Sequence, residues 1–415
     1  MFFDILTFNS SNKALQSLND HCCDLQDKYG ITINKQSLDE RFNKGAVDFI
    51  KALLEDQLTR QTTHKINHLS LQHFSSIKIK DSTRFQLSEN LKEYYPGSTG
   101  AASGSGVHIQ FEFDILSGKI TDLYFTDAMQ QDVMDARESL PDIEKGSLIL
   151  RDLGYYSTDI LEEINRKEAY FISRLKPQIK IYKKENGIFK QIKYKDIHHY
   201  LKKHQLGQHQ MKVYIGEHTK MPVNMVVEMM PEQEIEKRMR KATRRAQKKK
   251  CKLNKEYRIQ ASLNIFITNI PQKLLKADKV RTLYRLRWQI ELRFKIWKSI
   301  CQINKVKKMS KERFECYLYA NLLYIIINWD IAINYFSLIW KDHQKLISMT
   351  KFYKTMFNRI YKLRMIFVEQ IEKAEDFLES LYKVSVKNHM LEKLRGKKGL
   401  EEILVMIIEQ DKRVC

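Results

Sequence analysis

The spacing of apolar positions changes several times along this chain, and each change predicts an element. Residues 1 to about 74 are polar, with apolar positions at helical spacing, most clearly in FNKGAVDFIKALLEDQLTRQ. SSIKIKDST alternates and predicts a short strand closing at Asp81. PGSTGAASGSG, residues 96 to 106, predicts a loop. VHIQFEFDI (107 to 115) and KITDLYFTD (119 to 127) flank Leu-Ser-Gly and predict a hairpin. Residues 128 to 138 suggest a short helix. SLILRDLGYYS (147 to 157) is mainly apolar, which predicts a central strand ending at Asp152 and Gly154. A helix over about 157 to 167 leads into the strand YFISRL (170 to 175).

Beyond residue 175 the pattern becomes lysine-rich and alternating, as in QIKIYKK, IFKQIKYK and MKVYIGE, and predicts a β-rich insertion. It ends in a basic run, residues 237 to 252, with ten Lys/Arg and no acid. LNIFITNI (263 to 270) is another apolar strand, and from about 303 onward the pattern is helical. No internal repeat is present. The predicted fold class is α/β, a mixed sheet with a front hairpin, not a doubly wound repeat.

The segment LYRLRWQIELRFKIWKS, residues 283 to 299, carries the most chemistry. An α-helix advances about 100° per residue. With Tyr284 at zero, Arg287, Glu291 and Lys298 fall at about 300°, 340° and 320°. Leu283, Leu286, Ile290, Phe294 and Trp297 form an adjacent apolar stripe facing a core. Trp288 lies off that stripe. A lone acid beside phosphate-binding cations suggests metal-dependent chemistry on nucleic acid.

Charge strengthens that picture. The 415 residues carry 72 Lys/Arg against 50 Asp/Glu, a formal net charge of +22, which calls for a polyanionic partner. Their number predicts several domains. No signal peptide is evident, and in the apolar stretch 316 to 340 the longest uncharged run ends at Asp330, so a buried soluble helix is expected there. The six cysteines form no C-x-x-C pair, which fits reduced thiols and argues against structural zinc. The pair His198 and His199 has no Cys or acid at ligand spacing. The glycine-rich loop lacks the lysine of a phosphate-binding loop, so no nucleotide cofactor is expected.

Asp81 and Asp152 at strand ends and Glu291 on a helix are the candidate catalytic acids and metal ligands. Three such carboxylates can hold two Mg²⁺ ions about 3.5 to 4 Å apart for in-line phosphoryl transfer, with Mn²⁺ as a substitute. Each acid also has an ordinary reading. The aspartates could close turns, as Asp114 and Asp127 are expected to do. Glu291 could belong to a helix charge ladder with Arg287 and Lys295.

Here the chain resembles a family. Y-x2-R-x3-E-x6-K is the signature of insertion sequence family 4 transposases, and Tyr284, Arg287, Glu291 and Lys298 fill it. Asp81, Ser82 and Thr83 resemble that family's D-x-T motif, and LRDLGY (150 to 155) resembles its second acidic motif. The resemblance spans roughly residues 35 to 325 and is nearest to the subgroup of Bacillus elements. It implies a DDE enzyme with an RNase H-like catalytic domain interrupted by a β-rich insertion, and the triad Asp81, Asp152 and Glu291. It implies cut-and-paste transposition through a hairpin intermediate, with Tyr284, Arg287 and Lys298 gripping DNA near the scissile end. Trp288 resembles an aromatic that helps handle a flipped base in the best-known relative, which also uses a Trp in its insertion. Here all four tryptophans, Trp288, Trp297, Trp329 and Trp340, lie beyond the insertion, so either a Tyr, Phe or His takes over the stacking there or the hairpin step differs in detail.

The expected organisation is an N-terminal helical region (1–74) for DNA-end binding, a catalytic core in two parts (75–175 and 261–310), the basic insertion (176–260) and a C-terminal helical region (311–415) for dimerisation. The expected partners are double-stranded DNA, as terminal inverted repeats and target, and a second copy of the chain on DNA, with no membrane. The expected location is the bacterial cytoplasm, on the nucleoid when DNA-bound. The rival readings are a non-catalytic DNA-binding derivative and a non-transposing RNase H-like nuclease.

Overall fold

The computed structural model describes residues 2–8, 16–61, 73–97, 103–253, 256–343, 345–370 and 373–391. The apolar run near 403 to 408, and part of the glycine-rich loop, lie outside them. In chain order the elements begin with α1 (Phe2–Thr7), α2 (Leu18–Tyr29), α3 (Lys35–Asp39), α4 (Lys44–Thr59), β1 (Ile77–Gln86), β2 (Gly106–Asp114) and β3 (Ile120–Asp127). Next come α5 (Asp132–Glu138), β4 (Leu148–Arg151), α6 (Thr158–Arg166), β5 (Tyr170–Arg174), β6 (Ile181–Glu185), β7 (Ile188–Ile192) and α7 (Tyr194–Lys203). β8 (Gln208–Ile215), β9 (Met221–Met229), α8 (Glu232–Lys248), α9 (Tyr257–Ser262), β10 (Leu263–Thr268), α10 (Ala277–Tyr284) and α11 (Trp288–Ser299) follow. The chain then continues through α12 (Lys311–His343), α13 (Met349–Asn358), α14 (Ile360–Arg364) and α15 (Ala374–Asn388). Two compact units result, one from Met1–Asn67, Asp81–Gln130 and Gln289–Cys415, the other from His68–Lys80 and Gln131–Trp288.

In the second unit, the first residues of β1 pair in parallel with β4, and β4 pairs in parallel with β5. β10 is antiparallel to β5, and the order continues through β9, β8, β6 and β7. β4 is buried along its whole length, as its apolar run predicts. The strands and helices of residues 176–260 are not walled off. Ile181, Ile197, Val213, Met225 and Val227 share one apolar core with Ile149, Phe171 and Ile160.

The first unit is built on α12, 33 residues long. That helix has the length and apolar composition to cross a membrane, yet most of its apolar side chains are buried in this unit. Gln57 of α4 donates to Asp330 at 2.6 Å, and Tyr317 shares a 2.7 Å hydrogen bond with His21 of α2. β2 and β3 form the predicted antiparallel hairpin. Its turn needs glycine: Gly118 has φ +72°, and a Cβ there would lie 2.6 Å from Ile333. The Gly118 carbonyl accepts the Trp329 indole N–H at 2.7 Å. Alternation along β2 predicts one solvated face, but every residue of β2 is buried. Its two acids are satisfied inside: Glu112 accepts from Thr121, and Asp114 accepts from the amides of Leu116 and Ser117. Asp114 is thus the expected turn residue, but a buried one. Asp127 likewise accepts the Met129 amide.

One strand end differs from expectation. β1 does not close at Asp81 but runs on to Gln86. The stop that the sequence suggests is the point where β4 ends and pairing with it ceases, at Lys80 opposite Arg151.

Candidate active site

The last paired residues of β1 and β4 are Lys80 and Arg151, and the next residue on each strand is an aspartate. Asp81 is partly exposed, and its carboxylate accepts the Ser82 amide at 2.8 Å. Asp152 is also partly exposed and precedes a 3₁₀ turn, Leu153–Tyr155, whose Tyr155 amide returns to the Asp152 carbonyl. The turn's glycine permits a close approach: a Cβ on Gly154 would lie 2.8 Å from the Asp132 carboxylate.

Side chains alternate along a strand, so Lys80 and Arg151 face away from the aspartates that follow them. Both are buried cations, and both reach the same helix. The Lys80 ammonium, fully buried, sits 2.9 Å from the buried Asp135 carboxylate of α5. The Arg151 guanidinium donates to the Ala136 carbonyl at 3.4 Å and the Ser139 hydroxyl at 3.0 Å, and lies over the Tyr155 ring. α5 therefore fixes the two strand positions from which Asp81 and Asp152 leave.

The signature residues fall into two environments. A 3₁₀ turn, Arg285–Arg287, separates α10 from α11. Tyr284 is buried against Phe266, with its hydroxyl 3.4 Å from the Arg151 carbonyl. Burial pushes that phenol up to about 12. Arg287 is buried too, and its guanidinium lies 3.9 Å from the Asp152 carboxylate and over the Tyr284 ring. Both side chains thus turn toward the Asp152 strand end. Trp288 is 61% exposed, in keeping with its place off the apolar stripe. Glu291 is exposed in the first turn of α11. Lys298 is partly buried and donates to the Arg84 carbonyl at 3.0 Å, and burial lowers its ammonium below the usual lysine range. Leu283, Leu286, Ile290, Phe294 and Trp297 are all buried, as the stripe predicts, with Phe294 and Trp297 edge-on to Phe111.

Two cations near Asp152 escape a reading based on motifs. Lys176, just after β5, donates to the Tyr156 carbonyl at 3.0 Å and interacts electrostatically with Asp152. Arg174, at the end of β5, is exposed and acts on Tyr284. Only their position after a strand parallel to β4 hints at them. A cavity of about 20 Å³ beside Asp152, Tyr155, Tyr156 and Ser173 has room for a water but not for a base. Among the described residues, no three His, Cys, Asp or Glu side chains are gathered closely enough to hold a metal ion.

Residues 72–328 match the Transposase DDE domain family, a span that takes in both aspartates and the whole signature. The chain belongs to the DDE transposases. It is similar along almost its whole length to the transposase for insertion sequence element IS231E of Bacillus thuringiensis subsp. finitimus, at 30% identity over 98% of this chain and 88% of that one. The transposase for IS231B of Bacillus thuringiensis subsp. berliner is 31% identical over 78% of this chain and 70% of its own. The transposase for IS1151 of Clostridium perfringens is 28% identical, covering 90% and 81%. Among solved structures, the piggyBac transposase synaptic complex with hairpin DNA aligns at a TM-score of 0.40 and 10% identity, covering 96% of this chain and 86% of that one. The insertion sequence family 4 resemblance and its Bacillus-type subgroup therefore stand. This transposase is an enzyme of DNA cleavage and strand transfer, with a mixed α/β fold.

Proposed function

We propose that this transposase cuts the ends of its element with Asp81, Asp152 and Glu291 and joins them to target DNA by cut-and-paste transposition through a hairpin intermediate. The observation that carries the reading is the register of β1 and β4, in which Lys80 opposite Arg151 leaves an aspartate next on each of two parallel strands, with the family's glutamate on the signature helix. The donor set suits Mg²⁺, since all three are hard carboxylate oxygens and each has solvent access. Two Mg²⁺ ions, or Mn²⁺ in their place, would lower the pKa of the attacking water or 3′-hydroxyl and stabilise the leaving oxygen.

The chain's own residues supply the rest. Arg287 beside Asp152 offsets its negative charge, and Tyr284 holds that strand end in place. Lys298, Lys176 and Arg174 offer cations to phosphates near the cut, and the exposed Trp288 ring offers a stacking face for an unpaired base. The N-terminal region 1–74 binds the terminal inverted repeats, the two core parts 75–175 and 261–310 carry the catalytic surface with the basic insertion 176–260 between them, and 311–415 mediates dimerisation on DNA. The location is cytoplasmic, with no membrane or nucleotide partner.

End cleavage by Asp81→Asn, Asp152→Asn and Glu291→Gln tests the triad. Each variant is expected to bind terminal-repeat DNA like the wild type and to lose cleavage in Mg²⁺ and Mn²⁺. Wild-type cleavage by any one of them removes that residue from the site. Hairpin-ended product on denaturing gels separates this reading from plain nicking.

A further inference from the structure

α8 carries a cationic face. With Arg240 at zero, Arg244, Lys248, Lys241 and Arg245 fall at about 40°, 80°, 100° and 140° around the helix. All five are exposed. The packed face lies opposite: Ala242, Ile235, Ala246 and Met239 fall at about 200° to 260°, and Ile235 and Ala242 are buried. Arg238, at the edge, ties the helix down by donating to the carbonyls of Ala261 and Leu263 at 3.0 and 3.1 Å.

The helix does hold acids, but they are used near its start. Glu232 and Glu236 pair with Arg258, and Glu234 pairs with Lys237. Among the described residues, none of the five downstream cations has an ion-pair partner. They are also neighbours at i+3 and i+4, where like charges destabilise a helix. A face meant only for solvent gains from alternating signs; this one concentrates a single sign over about 12 Å of helix. A duplex presents about seven phosphate charges over the same length.

We infer that the Arg240–Lys248 face of α8 docks duplex DNA through its phosphates, without reading bases, and so engages the DNA whose sequence is not fixed, target or flank, apart from the residues of the cleavage site. From Arg240 to Lys248 every side chain on this arc is a cation, which suits phosphate oxygens of any sequence. The choice of DNA over another polyanion rests on the transposase reading. The docking itself does not depend on which acids catalyse.

Binding by the full chain in EDTA tests this apart from catalysis. The probes are a labelled terminal-repeat DNA duplex, a scrambled DNA duplex and a double-stranded RNA, all of equal length, from 50 to 300 mM salt. Each neutralised phosphate contributes about 0.9 to the slope of log K against log salt. The triple variant Arg240→Gln, Arg244→Gln, Lys248→Gln is expected to flatten the slope by about 2 to 3 and to weaken both duplexes alike, at least tenfold. Glutamine keeps helix propensity, and the charge-preserving triple Arg240→Lys, Arg244→Lys, Lys248→Arg is expected to bind with the wild-type slope. An unchanged slope in the glutamine variant overturns the proposal. So does a loss confined to the terminal repeat, an equal loss in the charge-preserving variant, or an effect seen only with double-stranded RNA.

Discussion

Lys80→Met should be among the most damaging single substitutions outside the catalytic residues, although lysine is ordinarily a surface residue. The Lys80 and Asp135 side chains are 0% and 1% exposed, with their charged atoms 2.9 Å apart. At an effective dielectric of about 20, that separation gives a gross attraction of about 6 kcal/mol. Desolvating two ions costs several kcal/mol each, so the pair adds little net stability over an apolar pair of the same shape. Breaking it is another matter, because the surviving charge stays buried without its counter-ion. Removal of either partner should cost about 3–5 kcal/mol. The double variant Lys80→Met, Asp135→Leu should recover most of that loss, which gives a large coupling energy in a double-mutant cycle. The readout is urea unfolding together with amide exchange of peptides covering Ile77–Gln86 and Leu148–Arg151, which should lose protection in the single variants and regain it in the double. A cost below about 1 kcal/mol for both single variants, or additive losses in the double, would refute the reasoning. In that case α5 would not be what fixes the strands that lead to Asp81 and Asp152.

Two further outcomes follow from burial and exposure elsewhere. Burial pushes Asp330 up to about 6, with the Gln57 hydrogen bond opposing in part. Its folded-state value is above the unfolded one, so the folded chain keeps a proton that the unfolded chain releases between about pH 4 and 6, and stability falls as pH rises through that window. Asp330 is partly exposed, so solvent screening cuts the effect to about 1 kcal/mol. Asp330→Asn, which still accepts from Gln57, should raise the melting temperature at pH 7.5 and leave it unchanged at pH 4; an equal gain at both pH values contradicts the assignment. Trp288→Ala should leave stability within about 0.5 kcal/mol while costing about 1–3 kcal/mol in engagement of cleaved, partly unpaired ends, measured by competition binding. Wild-type engagement of such ends removes the stacking role.

The sequence made the framework of this chain legible wherever a period or a motif was strong. The β2–β3 hairpin, the apolar β4 and the five-residue stripe leading to Trp297 all follow from spacing, because one buried face imposes one period. The acids and the signature were legible as motifs. What spacing hides is the other side of a strand. β2 alternates His108, Gln110, Glu112 and Asp114 with apolar residues, yet all four are buried. Likewise, the KIKD and LILRD runs make Lys80 and Arg151 look like solvent-facing cations, while both are buried on α5. The partners of Lys80 and Arg151 lie on α5, and pattern within β1 or β4 carries no trace of them.

The same limit changes what the signature means. As a helical row, Tyr284, Arg287, Glu291 and Lys298 look like four equivalent side chains facing one ligand. In the fold, Tyr284 and Arg287 are buried against the Arg151 carbonyl and the Asp152 carboxylate, while Glu291 and Trp288 are exposed. A residue that must hold a strand end in place needs burial, and one that must meet a metal ion or a base needs access. The spacing of the signature serves both demands: Tyr284 and Arg287 support the Asp152 strand end, Glu291 is left exposed, and Lys298 is tied to the Arg84 carbonyl. Substitutions at Tyr284 and Arg287 should therefore disturb stability and cleavage together, whereas those at Trp288 and Glu291 should separate them.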